Sequence, residues 1–197
     1  MNETSRKTPA RRLVVGISGA SGARLGIRLL EVTRGLGVET HLVISAAGRD
    51  TIAQETDWQV RDVQALADYT YPDEAIGAAI ASGSFRTHGM VVIPCSIKTL
   101  SAIANSYTDR LISRAADVTL KEGRPLVLVV RETPLHMGHL RLMRLAAEAG
   151  AVIFPPVPAF YARPQTIDEL VDNTVGRVLA RLGIENELFQ EWDGTEK

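Results

Sequence analysis

A run of small residues near the amino terminus has the composition of an anion-binding turn. Residues 13–15 are apolar strand formers, and GISGASGA follows directly at residues 16–23. Such a turn before a helix leaves backbone N–H groups without partners, where a phosphate can bind. Ser18 and Ser21 can add hydroxyl donors, and a glycine at 19 allows close approach. An ordinary strand-to-helix turn with a serine cap explains the same residues equally well, and neither G-x-G-x-x-G nor G-x-x-x-x-G-K-[ST] is present.

Polar residues also follow the other predicted strands. Ser45 ends the second strand, Ser96 and Thr99 follow the third, and Arg131 and Glu132 follow the fourth. Because the carboxyl ends of parallel strands meet at one edge of a sheet, these side chains are expected to gather there with the glycine run. These side chains and the glycine run could together bind a ligand that has a phosphate monoester next to a polar ring.

Two other kinds of site are not indicated. No serine lies in a G-x-S-x-G elbow, so a hydrolase nucleophile is not predicted. His136 and His139 are three positions apart, but neither cysteine nor carboxylate lies at ligand spacing, so we expect surface or cap positions rather than metal binding.

The framework for these residues is predicted from alternating strands and helices. Five strands are expected, at residues 13–15, 39–45, 90–93, 125–130 and 152–154. The most apolar, PLVLVV at 125–130, is expected to lie centrally in the sheet. Residues 74–81 are predicted as a helix of small residues, and Asp109 as the cap of the helix that stops at Gly123. The pattern indicates an α/β fold, a parallel sheet with helices on both faces.

Length and composition narrow the function classes. The 197 residues suit one domain, with residues 1–11 expected to be a disordered polar leader. A formal net charge of -1 gives no support to nucleic-acid or membrane-surface binding. No apolar run approaches the roughly 18 residues of a membrane span. The single cysteine, Cys95, fits a reducing compartment, so a cytoplasmic location is expected.

Several stretches, taken together and in order, resemble the UbiX-type flavin prenyltransferases. They are GISGASGA from Gly16, LVIS ending at Ser45, ETD from Glu55, SGSF from Ser82, PCSIKTLSAIA from Pro94, SRAADVTLKEGRPLVLVVRETP from Ser113 and PPVPAFYARPQT from Pro155. The resemblance extends from about Arg12 to Trp192. It implies a three-layer Rossmann-like (flavodoxin-like) flavoprotein domain over residues 12–185. The tail at 186–197 is expected to contribute to the oligomer or the active site.

The resemblance also implies an activity. Members join a dimethylallyl group from dimethylallyl phosphate to N5 and C6 of reduced FMN without a metal. The implied assembly is a homo-oligomer, usually a dodecamer with its sites at subunit junctions. The implied partner is a UbiD-type decarboxylase that uses the prenylated FMN.

Matching positions of the family's motifs imply roles for individual residues. Binding of FMN is implied for Gly19, Ala20, Ser21, Ser45, Ser96, Ile97, Lys98, Thr99 and Arg131. Tyr161 and Arg177 are expected to hold the phosphate of the prenyl donor. The residues expected around the reacting atoms are Glu55, Arg114, Lys121, Glu132 and Trp192. In the implied reaction the basic residues stabilise the leaving phosphate, and the glutamates or the phosphate itself move protons.

The residues taken alone leave simpler roles open. Lys121 can be a helix-dipole partner, and Glu55 can be an exposed helix end. Glu132 can pair structurally with the arginine before it. Tyr161 lies among prolines where loop packing explains it, and Trp192 can be a hydrophobic anchor.

Three other functions stay open from the sequence. The first is a non-catalytic FMN-binding accessory subunit of an aromatic acid decarboxylase, which would not need a second phosphate site. The second is a flavin-dependent cysteine decarboxylase. Those enzymes carry a catalytic histidine, whereas His41 of this chain lies within a predicted strand. The third is a direct decarboxylase of aromatic acids. The departures from the family pattern are small: Ser21 stands where threonine is common, and residues 136–139 fall in a variable stretch.

Overall fold

A six-stranded parallel sheet forms the centre of the computed structural model, which describes residues 11–190 and 194. The strands are β1 (Arg12–Ile17), β2 (Glu39–Ile44), β3 (Tyr69–Tyr71), β4 (Gly89–Cys95), β5 (Leu126–Val130) and β6 (Val152–Ile153). Their order is β3-β2-β1-β4-β5-β6, and every neighbouring pair is parallel. This is the order of Rossmann-type sheets, whose ligand crevice opens where the winding reverses, here between β1 and β4.

Helices cover both faces of the sheet. They are α1 (Ala23–Gly35), α2 (Ala46–Glu55), α3 (Val60–Gln64), α4 (Ile97–Ala104), α5 (Leu111–Lys121), α6 (Met137–Glu148) and α7 (Ile167–Arg181). Successive strand residues point to opposite faces. Leu13 and Ile17 therefore pack with α1 and α7, whereas Val14 and Met90 pack with α4 and α5. The three-layer α/β fold predicted from the sequence is confirmed. Over the residues described, no helix has the length and apolar character to cross a membrane.

The sheet has one strand more than the sequence predicts. The addition, β3, is three residues long and pairs with β2 at the edge of the sheet. A run this short gives no periodicity to recognise. The strand expected to be central, β5, is an interior strand, since it lies between β4 and the edge strand β6.

The helix predicted over residues 74–81 is wrong. The chain forms successive turns there, with a single 3-10 turn at Ala79–Ala81. The backbone bonds are short-range, from Ala75 N to Pro72 O at 3.0 Å and from Ala78 N to Ala75 O at 2.9 Å. Small residues alone do not impose a helix when tertiary contacts use the backbone otherwise.

The cap predicted for α5 is also wrong, because Asp73 takes the place expected for Asp109. Leu111 N donates to the backbone carbonyl of Asp73 at 2.7 Å. Ile112 N donates to Asp73 Oδ1 at 3.1 Å. Asp73 is buried, and this burial raises the pKa of its carboxyl group although the bond from Ile112 N opposes the rise. Asp73 therefore joins the start of this turn segment to the start of α5.

Candidate active site

The carboxyl ends of β1 and β4 are tied together by Ser18. Its hydroxyl donates to Pro94 O at 2.9 Å and accepts a hydrogen bond from Ser96 N at 2.8 Å. The residue is 1% exposed. Ser18 is therefore a structural link at the crevice, and its hydroxyl is not the free anion donor that the sequence suggested.

A close approach at Gly19 brings the start of α2 against the end of β1. A Cβ at Gly19 would overlap Ala47 Cβ and lie 3.0 Å from the Ala47 carbonyl carbon. Ser45 caps α2, because Gly48 N donates to its Oγ at 3.0 Å. Ser45 N in turn donates to Ile17 O at 3.0 Å, which holds the cap beside β1.

The first turn of α4 enters the same space. Ser96 caps this helix, since its Oγ accepts from Thr99 N at 3.3 Å. The Ser96 hydroxyl donates onward to Thr99 Oγ1 at 3.1 Å. Both polar side chains therefore stay at the helix terminus, where backbone N–H groups and the helix dipole favour an anion.

These elements line a pocket of about 150 Å³. Its wall contains Gly19, Ser45, Ser96, Lys98 and Thr99, all of which the resemblance assigns to FMN. The amino ends of α2, α4 and α5 meet here, and Lys98 adds a full positive charge. The amino ends of α2 and α4 together with Lys98 make this part of the pocket suitable for a phosphate group, whereas the start of α5 is already bonded to Asp73.

The wall of the pocket also has an acidic side that sequence reasoning missed. Asp73, Glu74 and Asp109 line it together with Arg110. Arg110 Nη1 lies 3.0 Å from Glu74 Oε1. Sequence reasoning could not find this side of the pocket, because Asp73 and Glu74 are far from α5 in the chain and reach it only in the folded protein.

The amino end of α1 already holds an anion, the carboxylate of Glu55. Its Oε2 accepts from Gly22 N at 2.7 Å and from Ala23 N at 3.1 Å. Burial on its own would raise the pKa of Glu55. The bonds from Ser21 and the two backbone groups, with the charge of Arg131, outweigh it and lower the pKa below its usual range. An ionised side chain thus occupies the N–H groups that the sequence offered to a ligand.

Lys121 lies at the opposite end of the sheet from Arg131. It ends α5, and residues 122–125 lead from it to the amino end of β5. Arg131 follows the carboxyl end of β5, where its N–H donates to Cys95 O at 3.1 Å. The five residues of β5 separate the two ends by roughly 16 Å, at about 3.3 Å a residue. A single chain does not bring Lys121 to the strand-end pocket.

Comparison with known proteins fits this geometry. A family model described as Flavoprotein matches residues 1–179. The flavin prenyltransferase UbiX of Escherichia coli (strain K12) is 62% identical over 187 residues, which cover 93% of this chain and 99% of that protein. The chain belongs to the flavin prenyltransferase family.

Two crystal structures extend the comparison. The structure of AnUbiX (PadA1) in complex with FMN and dimethylallyl pyrophosphate superposes with a TM-score of 0.93 at 52% identity, covering 95% of this chain and all of that one. A dodecameric FMN-dependent UbiX-like decarboxylase from Escherichia coli O157:H7 gives a TM-score of 0.91 at 50% identity, with 93% and 100% covered.

The other residues assigned from the flavin prenyltransferase resemblance are spread over several elements. Tyr161 lies in a 3-10 turn between β6 and α7 and is half exposed. The Arg177 guanidinium, on α7, is 5.7 Å from the centroid of the Phe154 ring. Arg114 Nη1 lies 3.5 Å from Asp117 Oδ2 on α5. Glu132 is exposed, and its Oε1 accepts from Thr133 N at 3.0 Å.

The remaining assignments have simple positions. Ala20 is buried in the turn after β1, and Ile97 is the first residue of α4. Trp192 lies outside the described residues. These roles stay predictions.

His136 and His139 lie side by side at the start of α6. His136 caps α6, since its Nδ1 accepts from Gly138 N at 3.0 Å, so its predicted cap position is confirmed. The His136 and His139 ring centroids are 3.6 Å apart. Within the described part of the chain, no group of three or more His, Cys, Asp or Glu side chains could hold a metal ion.

Proposed function

We propose that the protein is a flavin prenyltransferase that joins the dimethylallyl group of dimethylallyl phosphate to N5 and C6 of reduced FMN. The observation that carries this proposal is the strand-end pocket where α2, α4 and α5 begin, in a chain 62% identical to a flavin prenyltransferase. The related crystal structure with FMN and dimethylallyl pyrophosphate supports the same pair of ligands.

The pocket residues fit the phosphate end of FMN. Ser45, Ser96 and Thr99 place helix N–H groups and hydroxyls at its wall, and Lys98 supplies charge. The absence of a Cβ at Gly19 keeps α2 close enough to share the site. Ala20, Ser21, Ile97 and Arg131 are the proposed contacts for the rest of the molecule.

The donor phosphate needs positive charge as its bond to carbon breaks. When bound, reduced FMN supplies N5, which replaces the phosphate on the first donor carbon and loses its proton. It also supplies C6, which bonds to the third donor carbon and loses its proton, after the second donor carbon has gained one. Lys121, Arg114, Tyr161 and Arg177 are the proposed phosphate ligands, and the positive charge of the lysine and the two arginines replaces a metal ion. Glu132 is an exposed carboxylate suited to carrying a proton, as is the released phosphate.

Glu55 suits a different task. Its lowered pKa and its bonds to the start of α1 keep it ionised at neutral pH, so it orients Ser21 and Arg131 better than it donates a proton.

The assembly proposed for this chain is a homo-oligomer, and a dodecamer is the proposed count. Support comes from the dodecameric relative and from the position of Lys121, which needs another copy to reach a pocket. Delivery of the product to a UbiD-type decarboxylase in the cytoplasm completes the proposal.

The test is mass spectrometry of the flavin after anaerobic incubation of the protein with reduced FMN and dimethylallyl phosphate. We expect a gain of one five-carbon unit. Lys121→Ala and Glu132→Ala should retain FMN and lose most of this product. Unmodified FMN, or carbon dioxide release from an aromatic acid by the protein alone, would contradict the proposal.

A further inference from the structure

The SGSF stretch at residues 82–85 has no role in the reaction described so far, yet it contacts a proposed phosphate ligand. A Cβ built on Gly83 would overlap Glu122 Oε1 and would lie 2.7 Å from Glu122 Cδ and 2.8 Å from Lys121 Nζ. A real side chain atom at Gly83 would therefore displace the Glu122 carboxylate and crowd the ammonium group bonded to it. The glycine leaves a gap that the Glu122 carboxylate and the Lys121 ammonium group share.

Glu122 bonds the same ammonium group and lies next to Gly83 as well. Lys121 Nζ donates to Glu122 Oε1, and this bond lowers the pKa of the Glu122 carboxyl below its ordinary value. The Lys121 side chain is 50% exposed, whereas Glu122 is 33% exposed. About half of the Lys121 side chain is therefore accessible to a ligand while its ammonium group is bonded to Glu122.

The loop itself is held at both ends. Arg124, whose side chain is 17% exposed, donates to Gly83 O at 2.7 Å and to Phe85 O at 2.9 Å. On the other side the Phe85 ring meets the Arg12 guanidinium, 4.9 Å from its centroid. These contacts hold the backbone of residues 83–85 in place beside Lys121.

We propose that Glu122 and Gly83 are positioning residues that hold the Lys121 ammonium group ready for the phosphate of the prenyl donor. This inference rests on the proposed function, because it takes Lys121 as a donor ligand. An exposed lysine has many rotamers, and binding a phosphate with it normally costs their loss. An ammonium group that is already bonded to the Glu122 carboxylate, in the space left open by Gly83, avoids much of that cost.

The test compares Glu122→Ala, Glu122→Gln and Gly83→Ala in the full oligomeric protein. Glu122→Ala is expected to raise KM for dimethylallyl phosphate about three- to tenfold. Glu122→Gln should raise it less, because the amide oxygen still accepts a bond from the ammonium group. Gly83→Ala should also raise it, with little change in melting temperature, because the displaced ends of the Glu122 and Lys121 side chains are flexible.

Matched controls separate positioning from folding. Gly77→Ala adds a methyl group with nothing within 4 Å, and Glu148→Gln removes a carboxylate paired with Arg144 at the end of α6. Both should leave KM and FMN affinity unchanged. A KM for Glu122→Ala at or below that of the unsubstituted protein would overturn the proposal, since Glu122 would then only neutralise Lys121.

Calorimetry of dimethylallyl phosphate on the protein with oxidised FMN tests the same inference without turnover. The donor dissociation constant should rise in Glu122→Ala and Gly83→Ala. If the donor binds but no prenylated flavin forms with reduced FMN, the proposed function fails while the positioning role is still measured. If product forms and both variants bind the donor like the controls, the positioning role alone fails.

Discussion

Ser18 and Ser21 lie three positions apart in the glycine run, and the structure gives them different surroundings. Ser18 is buried and bridges the ends of two strands, whereas Ser21 is exposed beside Glu55. From the sequence both were equivalent hydroxyl donors. Their difference comes from β4, which is brought beside β1 only by the folded sheet.

Replacing these two serines should separate the roles. Ser18→Ala is expected to lower the free energy of unfolding by about 1–3 kcal/mol, because the partly buried Ser96 N–H loses its partner. Ser21→Ala should change it by less than about 0.5 kcal/mol, as is usual for exposed positions. Urea unfolding followed by circular dichroism measures both. If Ser18→Ala lowered the free energy of unfolding as little as is expected for Ser21→Ala, the Ser18 bridge would not be a stabilising link.

Removal of the Glu55 charge should produce a pH-dependent loss of stability. Glu55→Gln is expected to cost roughly 0.5–1 kcal/mol at neutral pH, a modest figure because the side chain is largely exposed. The folded pKa lies below the ordinary value of 4.5, so the stabilisation is present above that pH and is lost as the pH falls through the folded pKa.

The measurement is the urea midpoint of both proteins from neutral pH into acid. Their difference should shrink as the pH falls, and Asp50→Asn, an exposed carboxylate on the same helix, should not reproduce the pattern. A difference that stays constant with pH would mean that the Glu55 charge contributes nothing at the start of α1.

Helix caps show which parts of the elements can be predicted from sequence. Thr166 caps α7, since Glu169 N donates to its Oγ1 at 3.2 Å, and a threonine directly before a helix is a local signal of such a cap. Ser45 and Ser96 act in the same local way. The cap of α5 comes instead from Asp73, far back in the chain, so no local pattern reveals it. The same long-range contact removes the helix expected at 74–81.

The two aspartates near α5 should differ in their contribution to stability. Asp73→Ala is expected to lower the free energy of unfolding by about 1–2 kcal/mol, the usual effect of losing a helix cap. Asp73→Asn retains an acceptor oxygen and should stay close to the unsubstituted protein. Asp109→Ala is the control. Thermal unfolding compares the three, and a larger effect at Asp109 would contradict the cap assignment.

At the scale of the whole molecule, a single chain leaves several large apolar side chains exposed to solvent. Val157, Phe160, Met137 and Ile167 are between 67% and 78% exposed, on or next to the loops that follow β5 and β6. Strand-end residues such as Ser45 and Ser96 could be placed together from sequence, because the order of strands and helices decides their edge. The place of Lys121 relative to a pocket could not, because it depends on the folded position of α5 and, in the function proposed above, on a second copy.

Complementation between two inactive variants tests whether sites are shared. Lys121→Ala and Arg131→Ala chains should each fail to prenylate FMN when expressed alone. Co-expressed, they should form mixed oligomers in which about a quarter of the sites combine an intact Lys121 from one copy with an intact Arg131 from another. Partial activity should therefore return, and pairing Lys121→Ala with the double variant should restore none. If each chain built its site from its own residues, the mixed oligomers would be as inactive as the single variants, because every chain would lack one of the two groups.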